Sequence, residues 1–167
     1  MLPDWDSRPQ DIAALLNPAF DGLLLHRAVA GYQQEASMGA PFPVMFLFLP
    51  FILHEPTRQR LPAKVTTHLA TWLQDERDAV LGFADRTADL VPYTQEAILF
   101  LTNHGLLDFD GDERCVLGKA RFKNGVGNLT SSSAEVKECH KAALAVGRWL
   151  ALSGNPTTLY SLMGIRP

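Results

Sequence analysis

The chain has 167 residues, a formal net charge of −3, 47% apolar and 20% charged residues, and two cysteines, Cys115 and Cys139. One domain of that length buries about 68–70% of its unfolded surface, so neither a disulfide nor a metal is needed for folding. The charge gives no global pull toward nucleic acid or anionic lipid. Two cysteines make no secreted disulfide framework and read as free thiols of a reducing compartment. Met1-Leu2-Pro3-Asp4-Trp5-Asp6 lacks the basic patch and apolar stretch of a secretion signal, and the expected location is the cytoplasm.

Residues 1–16 read as a loosely attached lead-in, with a turn of helix expected at Gln10–Leu16. Asn17-Pro18 is a helix start, asparagine as the cap and proline at the first helical position. Phe20, Leu23, Leu24, Arg27 and Ala28 then recur at helical spacing to about Glu35. Met38-Gly39-Ala40-Pro41 breaks the chain. Ala40 to Leu53 carries no charge, yet it is shorter than the about 20 apolar residues that cross a bilayer. Val44, Phe46, Leu47, Phe48, Phe51, Ile52 and Leu53 leave no polar face, which fits a central helix starting at Pro43 and covered by its neighbours. A buried strand is the competing reading; length favours the helix, with Pro50 bending it.

Glu55-Pro56-Thr57-Arg58 reads as a turn. Helices are expected at about Thr66–Gln74, with Leu69, Trp72 and Leu73, and at about Asp78–Leu90, with Val80, Leu81, Phe83 and Ala84 inward and Pro92 as the stop. Thr94 caps the next helix, which runs to His104 with Ala97, Ile98 and Leu101 inward; Gly105 ends it. Leu106–Phe109 and Arg114–Leu117 flank Asp110-Gly111, a dipeptide favoured in hairpin turns. Residues 119–131 form a Gly- and Asn-rich loop. Ser132-Ser133-Ala134-Glu135 is a capping box that opens the longest helix, with Val136, Cys139, Ala143, Val146 and Leu150 spaced for burial to about Leu152. Ser153-Gly154-Asn155-Pro156 restarts a short helix through Leu162. Trp72 and Trp149 lie on apolar faces and read as core.

The fold class is therefore mainly α with a small β-hairpin. Three helices followed by a hairpin give a winged-helix-like half, residues 66–118. It packs on an N-terminal helical part, 17–65, and on a C-terminal helix and tail, 132–167, within one domain. Such a fold can read DNA, and Arg114, Lys119, Arg121 and Lys123 are the candidate nucleic-acid residues, with Arg58 and Arg60 required on the same face. The charges oppose this. The expected wing carries Asp108, Asp110, Asp112 and Glu113, and the helix from Thr94 to His104 has neither Lys nor Arg, the cations on which phosphate contacts depend. A protein–protein module suits these charges better, and a DNA-binding regulator is kept as the alternative.

Chemistry-bearing patterns are scarce. His26, His54, His68, His104 and His140 are dispersed, Cys139 and His140 point apart on one helix, and no zinc spacing, phosphate loop or nucleophile elbow is present. His54-Glu55 as an acid–base pair lacks partners. The expectation is a chain that is not an enzyme, with no cofactor and no metal. Arg27 on an apolar face either lays its stem over apolar surface or pairs internally with Glu55. Leu159, Tyr160, Leu162, Met163 and Ile165 either fold back on the core or dock into a partner.

Taken in order, these pieces resemble the middle component of bacterial three-component ABC systems. The matching stretches are Asn17-Pro18-Ala19-Phe20; Leu47–Phe51 with His54-Glu55-Pro56-Thr57-Arg58; Leu69-Ala70-Thr71-Trp72-Leu73; and Val91-Pro92-Tyr93-Thr94 leading to His104-Gly105-Leu106-Leu107. Gly147-Arg148-Trp149, Pro156-Thr157-Thr158 and Leu162-Met163-Gly164-Ile165-Arg166-Pro167 complete the set, which spans nearly the whole chain. The resemblance implies a non-catalytic subunit beside an SMC- or RecN-like ABC-type ATPase and a third, effector-bearing component, acting in defence against phage or plasmids. A homodimer, no membrane contact and at most weak or indirect DNA contact go with it. The partner-binding candidates are His54, Glu55, Thr57 and Arg58, and, in the tail, Leu159, Leu162, Met163, Ile165 and Arg166.

Overall fold

A computed structural model of the chain describes residues 2, 7–10, 16–122 and 133–166. Helix α1 (Pro18–Ala36) begins as expected: Asn17 Oδ1 accepts the Ala19 N–H at 2.8 Å, and the helix ends at Ser37 in the left-handed region. Most of the expected turn at 10–16 lies outside the described residues. Strand β1 (Ala40–Pro41) leads through a 3₁₀ turn, Phe42–Val44, into α2 (Met45–Leu53). The helical reading of the apolar run holds. Met45, Leu47, Phe48, Leu49, Phe51 and Ile52 are fully buried although the helix has only nine residues, one of them Pro50. No helix among the described residues is long and apolar enough to cross a membrane.

The stretch read as a turn is a short helix, α3 (Glu55–Arg58). Helix α4 (Leu69–Asp75) starts three residues later than expected, and a 3₁₀ turn, Arg77–Val80, follows. The larger correction concerns α5 (Phe83–Asn103). The helices expected at 78–90 and 94–104 are one, with Pro92 inside it and Thr94 buried in mid-helix rather than capping. Phe83, Thr87, Thr94, Ala97, Ile98 and Leu101 form one buried stripe on both sides of Pro92. Burial of that stripe outweighs the about 3 kcal/mol that an internal proline costs. Leu81, expected inward, is 69% exposed. The three-helix core of the winged-helix expectation thus loses its middle member.

The hairpin forms, from β2 (Leu107–Phe109) and β3 (Arg114–Leu117), but in a three-stranded antiparallel sheet of order β1-β3-β2. Leu107 faces Leu117, Phe109 faces Cys115, and Ala40 pairs with Cys115 from the other side. Asp110 Oδ1 accepts the Asp112 and Arg114 N–H groups at 2.9 and 3.0 Å, so this carboxylate builds the turn. The remaining helices are α6 (Ala134–Leu152) and α7 (Pro156–Leu162). Ser133, one residue beyond the expected cap, holds the start of α6 through the Val136 N–H; Ser132 is outside the described residues. Cys139, Ala143, Val146 and Leu150 are buried as expected, and Val136 is half-buried.

Helix α1 packs between α5 and α6, and α2 lies against all three. The α1–α6 crossing is close. A Cβ on Gly147 would lie 1.9 Å from the Ala28 carbonyl oxygen, and one on Gly31 would lie 2.3 Å from that of Leu144. Beside Gly147, Arg148 Nε donates to Glu35 Oε1 at 2.6 Å, and Trp149 Nε1 donates to Thr67 O at 2.7 Å. Trp72 Nε1 donates to Arg60 O at 2.7 Å, so two indoles tie down the irregular connection between α3 and α4. Both tryptophans are core, as expected: their rings meet at 5.0 Å and, with Phe51 and Phe83, make an aromatic cluster.

Candidate interaction surface

The last carbonyls of a helix have no intrahelical partner. At the end of α2 they are met by Arg58, whose Nη1 donates to Ile52 O at 2.7 Å and Leu53 O at 3.3 Å. Its Nη2 faces Glu135 at 3.6 Å and Glu138 at 4.0 Å on α6. Thr57 is fully buried, and its hydroxyl donates to Ala79 O. That proton being engaged, the 2.7 Å contact with His54 Nδ1 requires the histidine to donate, and Arg86 Nη2 adds a longer contact at 3.4 Å. Desolvation first, then the Arg86 and Arg58 charges, push the His54 pKa down, so the ring is neutral with its lone pair on Nε2.

Glu55 Oε1 accepts from Gln59 Nε2 at 2.7 Å, and the Thr57 hydroxyl is sealed in the core as a donor. The cluster joins α2, α5, α6 and the 77–80 turn. Thr57 and Arg58 are therefore internal, whereas Glu55 is exposed and His54 half-buried. Arg58→Ala is expected to lower stability by about 2 kcal/mol, because it leaves the Ile52 carbonyl only the weak Cys139 Sγ–H donor at 3.8 Å. Arg58→Lys, lacking the planar fork, should recover less than half of the loss. Urea unfolding of the three proteins checks both statements.

The tail folds back on its own core, the first of the two alternatives. Leu159 is fully buried, Met163 nearly so, and the Tyr160 hydroxyl donates to Pro43 O at 2.8 Å. Gly164, in the left-handed region, lets the Ile165 N–H return to Tyr160 O at 2.9 Å. Leu162 stays 40% exposed, Arg166 is exposed and Ile165 half-buried. Tyr160, Ile165 and Phe46 line two adjoining open grooves. One, of about 480 Å³, is floored by Phe46, Ala84, Ala88 and Val91, with Asp85 and Arg166 at its edge. The other, of about 430 Å³, is lined by Phe42, Pro43, Phe46 and Pro156. Phe42, 41% exposed, meets the Phe46 ring at 5.4 Å and Phe109 of the hairpin at 6.1 Å. The apolar surface is thus continuous from the tail to the sheet.

The nucleic-acid candidates are not gathered in this way. Arg114 Nη1 lies 3.1 Å from Met38 Sδ, and Arg121 Nη1 is turned onto the carbonyls of Gly118 and Ala120 at 2.8 and 3.0 Å. Lys119 is exposed, Lys123 lies outside the described residues, and Arg60 faces Glu76 at 3.9 Å. Arg58 is buried and cannot join a phosphate-facing set. Arg27 is half-buried and makes no ion pair among the described residues, so its pairing with Glu55 is not formed. Among the described residues no cluster of three or more His, Cys, Asp or Glu side chains could hold a metal ion.

One titratable group went unmarked in the sequence. Asp21 on α1 is 1% exposed, and neither of its oxygens has a hydrogen-bond partner among the described residues. Burial, and secondarily the charge of Glu96, push its pKa up to about 8. Glu96 itself is held bidentately by Arg8 at 2.7 and 2.8 Å. An aspartate in the first turn of a helix ordinarily signals a solvated charge facing the dipole, so the spacing gave no warning.

A family model described as ABC-three component (ABC-3C) system Middle Component 3 matches residues 5–167. No curated protein and no solved structure matches the chain. On the strength of a match across nearly its whole length, the chain belongs to the middle component family of ABC-three component systems.

Proposed function

We propose that this chain is a non-catalytic adaptor, which bridges an ABC-type ATPase and an effector component in a system that defends against phage or plasmids. The observation that carries the reading is the apolar surface around Phe42, Phe46, Tyr160 and Ile165, with Leu162 and Phe109 exposed close to it in the fold. Large apolar side chains held in water around open grooves mark docking surfaces. At the polar cluster of residues 54–58, in contrast, the Thr57 hydroxyl, His54 Nδ1 and Arg58 Nη1 are engaged within the fold. A stable contact between subunits buries about 1,200–2,000 Å² in total, and a surface running from tail to sheet is suited to one side of it.

The test is co-expression of this chain with the ATPase and the third component encoded beside it. The expected result is a ternary complex that loses its effector component when this chain is omitted, and protection of the host that is lost with it. Phe42→Asp should reduce recovery of the complex by about tenfold or more, since it buries a charge at the contact. Assembly of the other two components at full yield without this chain would overturn the reading.

A further inference from the structure

A separate cavity of about 280 Å³ lies between the end of α2, the first half of α5 and Leu16. Its apolar lining is Leu16, Pro50, Leu53 and Leu90, and three polar side chains complete it: His54, Arg86 and Asp89. Arg86 is half-buried and has no ion pair among the described residues. Its Nη1 donates to Leu81 O at 2.5 Å, its Nη2 reaches Thr57 Oγ1 only at 3.4 Å, and its buried Nε has no partner. Desolvation lowers its pKa, as befits a cation that has given up water without gaining a counter-ion. Asp89 is exposed and equally without an ion pair among the described residues, although positions three apart are neighbours on a helix face. His54 commits its Nδ1–H to Thr57, which leaves the Nε2 lone pair as an acceptor. One apolar-walled cavity thus holds a cation, an anion and a neutral acceptor, and its two charges do not satisfy each other.

We infer that this cavity binds a free apolar α-amino acid in its zwitterionic form. The ligand carboxylate meets Arg86, whose planar fork suits it. The ligand ammonium donates to Asp89 and to His54 Nε2, and its side chain lies against Leu16, Leu53 and Leu90. A ligand with a single charge would leave Arg86 or Asp89 unanswered, whereas a zwitterion answers both. The cavity is just below the about 300–1,000 Å³ that holds drug-sized ligands, which is too small for a nucleotide. The inference stands apart from the adaptor reading and adds a small-molecule ligand to it.

The test is isothermal titration calorimetry of the full chain with L-leucine. Three comparisons each lack one part of it: isocaproate the ammonium, isopentylamine the carboxylate, and glycine the apolar side chain. The expected result is a Kd at least about tenfold lower for leucine than for any of the three. Asp89→Asn, a change at an exposed side chain, should weaken leucine binding about tenfold. It should leave the weaker binding of isocaproate unchanged, because only leucine carries the ammonium that Asp89 meets. A leucine Kd above about 10 mM, equal binding of leucine and isocaproate, or an Asp89→Asn protein that binds leucine like its parent overturns the inference.

Discussion

Gly147→Ala is expected to destabilise the protein by about 3 kcal/mol, although alanine is the better helix former by about 1 kcal/mol. The added methyl would meet the Ala28 backbone: oxygen at 1.9 Å, carbonyl carbon at 2.8 Å and Cα at 3.0 Å. Backbone atoms cannot rotate aside as a flexible side chain does, so α1 and α6 must separate along their crossing. That separation loosens Val146, Leu150 and Ala143 against Leu24, Leu25 and Ala28, all fully buried, and each loses dispersion contacts. Gly31→Ala presses on the same crossing from the other helix, at 2.3 Å from Leu144 O. The two substitutions together should therefore cost less than their sum, since the helices need to part only once. Gly111→Ala, with no atom within 4 Å of the new carbon, should stay within about 0.5 kcal/mol of the parent. Urea denaturation of the four variants and the parent reads the effect, and a Gly147→Ala protein as stable as its parent would contradict the close crossing.

Asp21→Asn should act in the opposite direction and stabilise the fold at neutral and alkaline pH. The carboxyl titrates near 8 in the folded chain against an ordinary value of 3.8. Between those values the folded protein holds a proton that the unfolded chain has released. Stability therefore falls as pH rises through that window. Each tenfold difference in proton affinity between the two states corresponds to about 1.4 kcal/mol, and with partial relaxation of the site the expected gain for Asn is about 3 kcal/mol at pH 8, shrinking toward zero near pH 4. Thermal unfolding of both proteins at several pH values should give curves that diverge on the alkaline side. Parallel curves would place Asp21 in water.

Much of this fold was legible because local chemistry and tertiary burial agree along most of the chain. Asn17-Pro18 caps α1, the uncharged run is the buried α2, and Asp110 organises the hairpin. The misreading at Pro92 arose where they disagree. Its ring is a stop signal by local rules, but the buried stripe from Phe83 to Leu101 continues across it. Strand β1, only Ala40 and Pro41, has no β signal of its own and exists because β3 pairs with it.

The candidate surface was half legible for a related reason. Apolar character selects Leu159, Leu162, Met163 and Ile165 alike. Only packing separates Leu159 and Met163, four apart on the inward face, from the exposed Leu162. Phe42 and Phe46 were concealed within a run that reads as core throughout. Thr57 and Arg58 stand together in sequence with Glu55 yet face the interior, since Arg58 terminates α2 and the Thr57 hydroxyl ends on the Ala79 carbonyl.

The α1–α6 crossing also bears on how the molecule is made. Helix α1 leaves the ribosome roughly 100 residues before the segment that covers it, which makes this a contact of long sequence separation. Until α6 has emerged, the most oily segment of the polypeptide, α2, lacks one wall of its enclosure. A nascent or prematurely terminated chain thus keeps part of α2 uncovered until α6 closes over it.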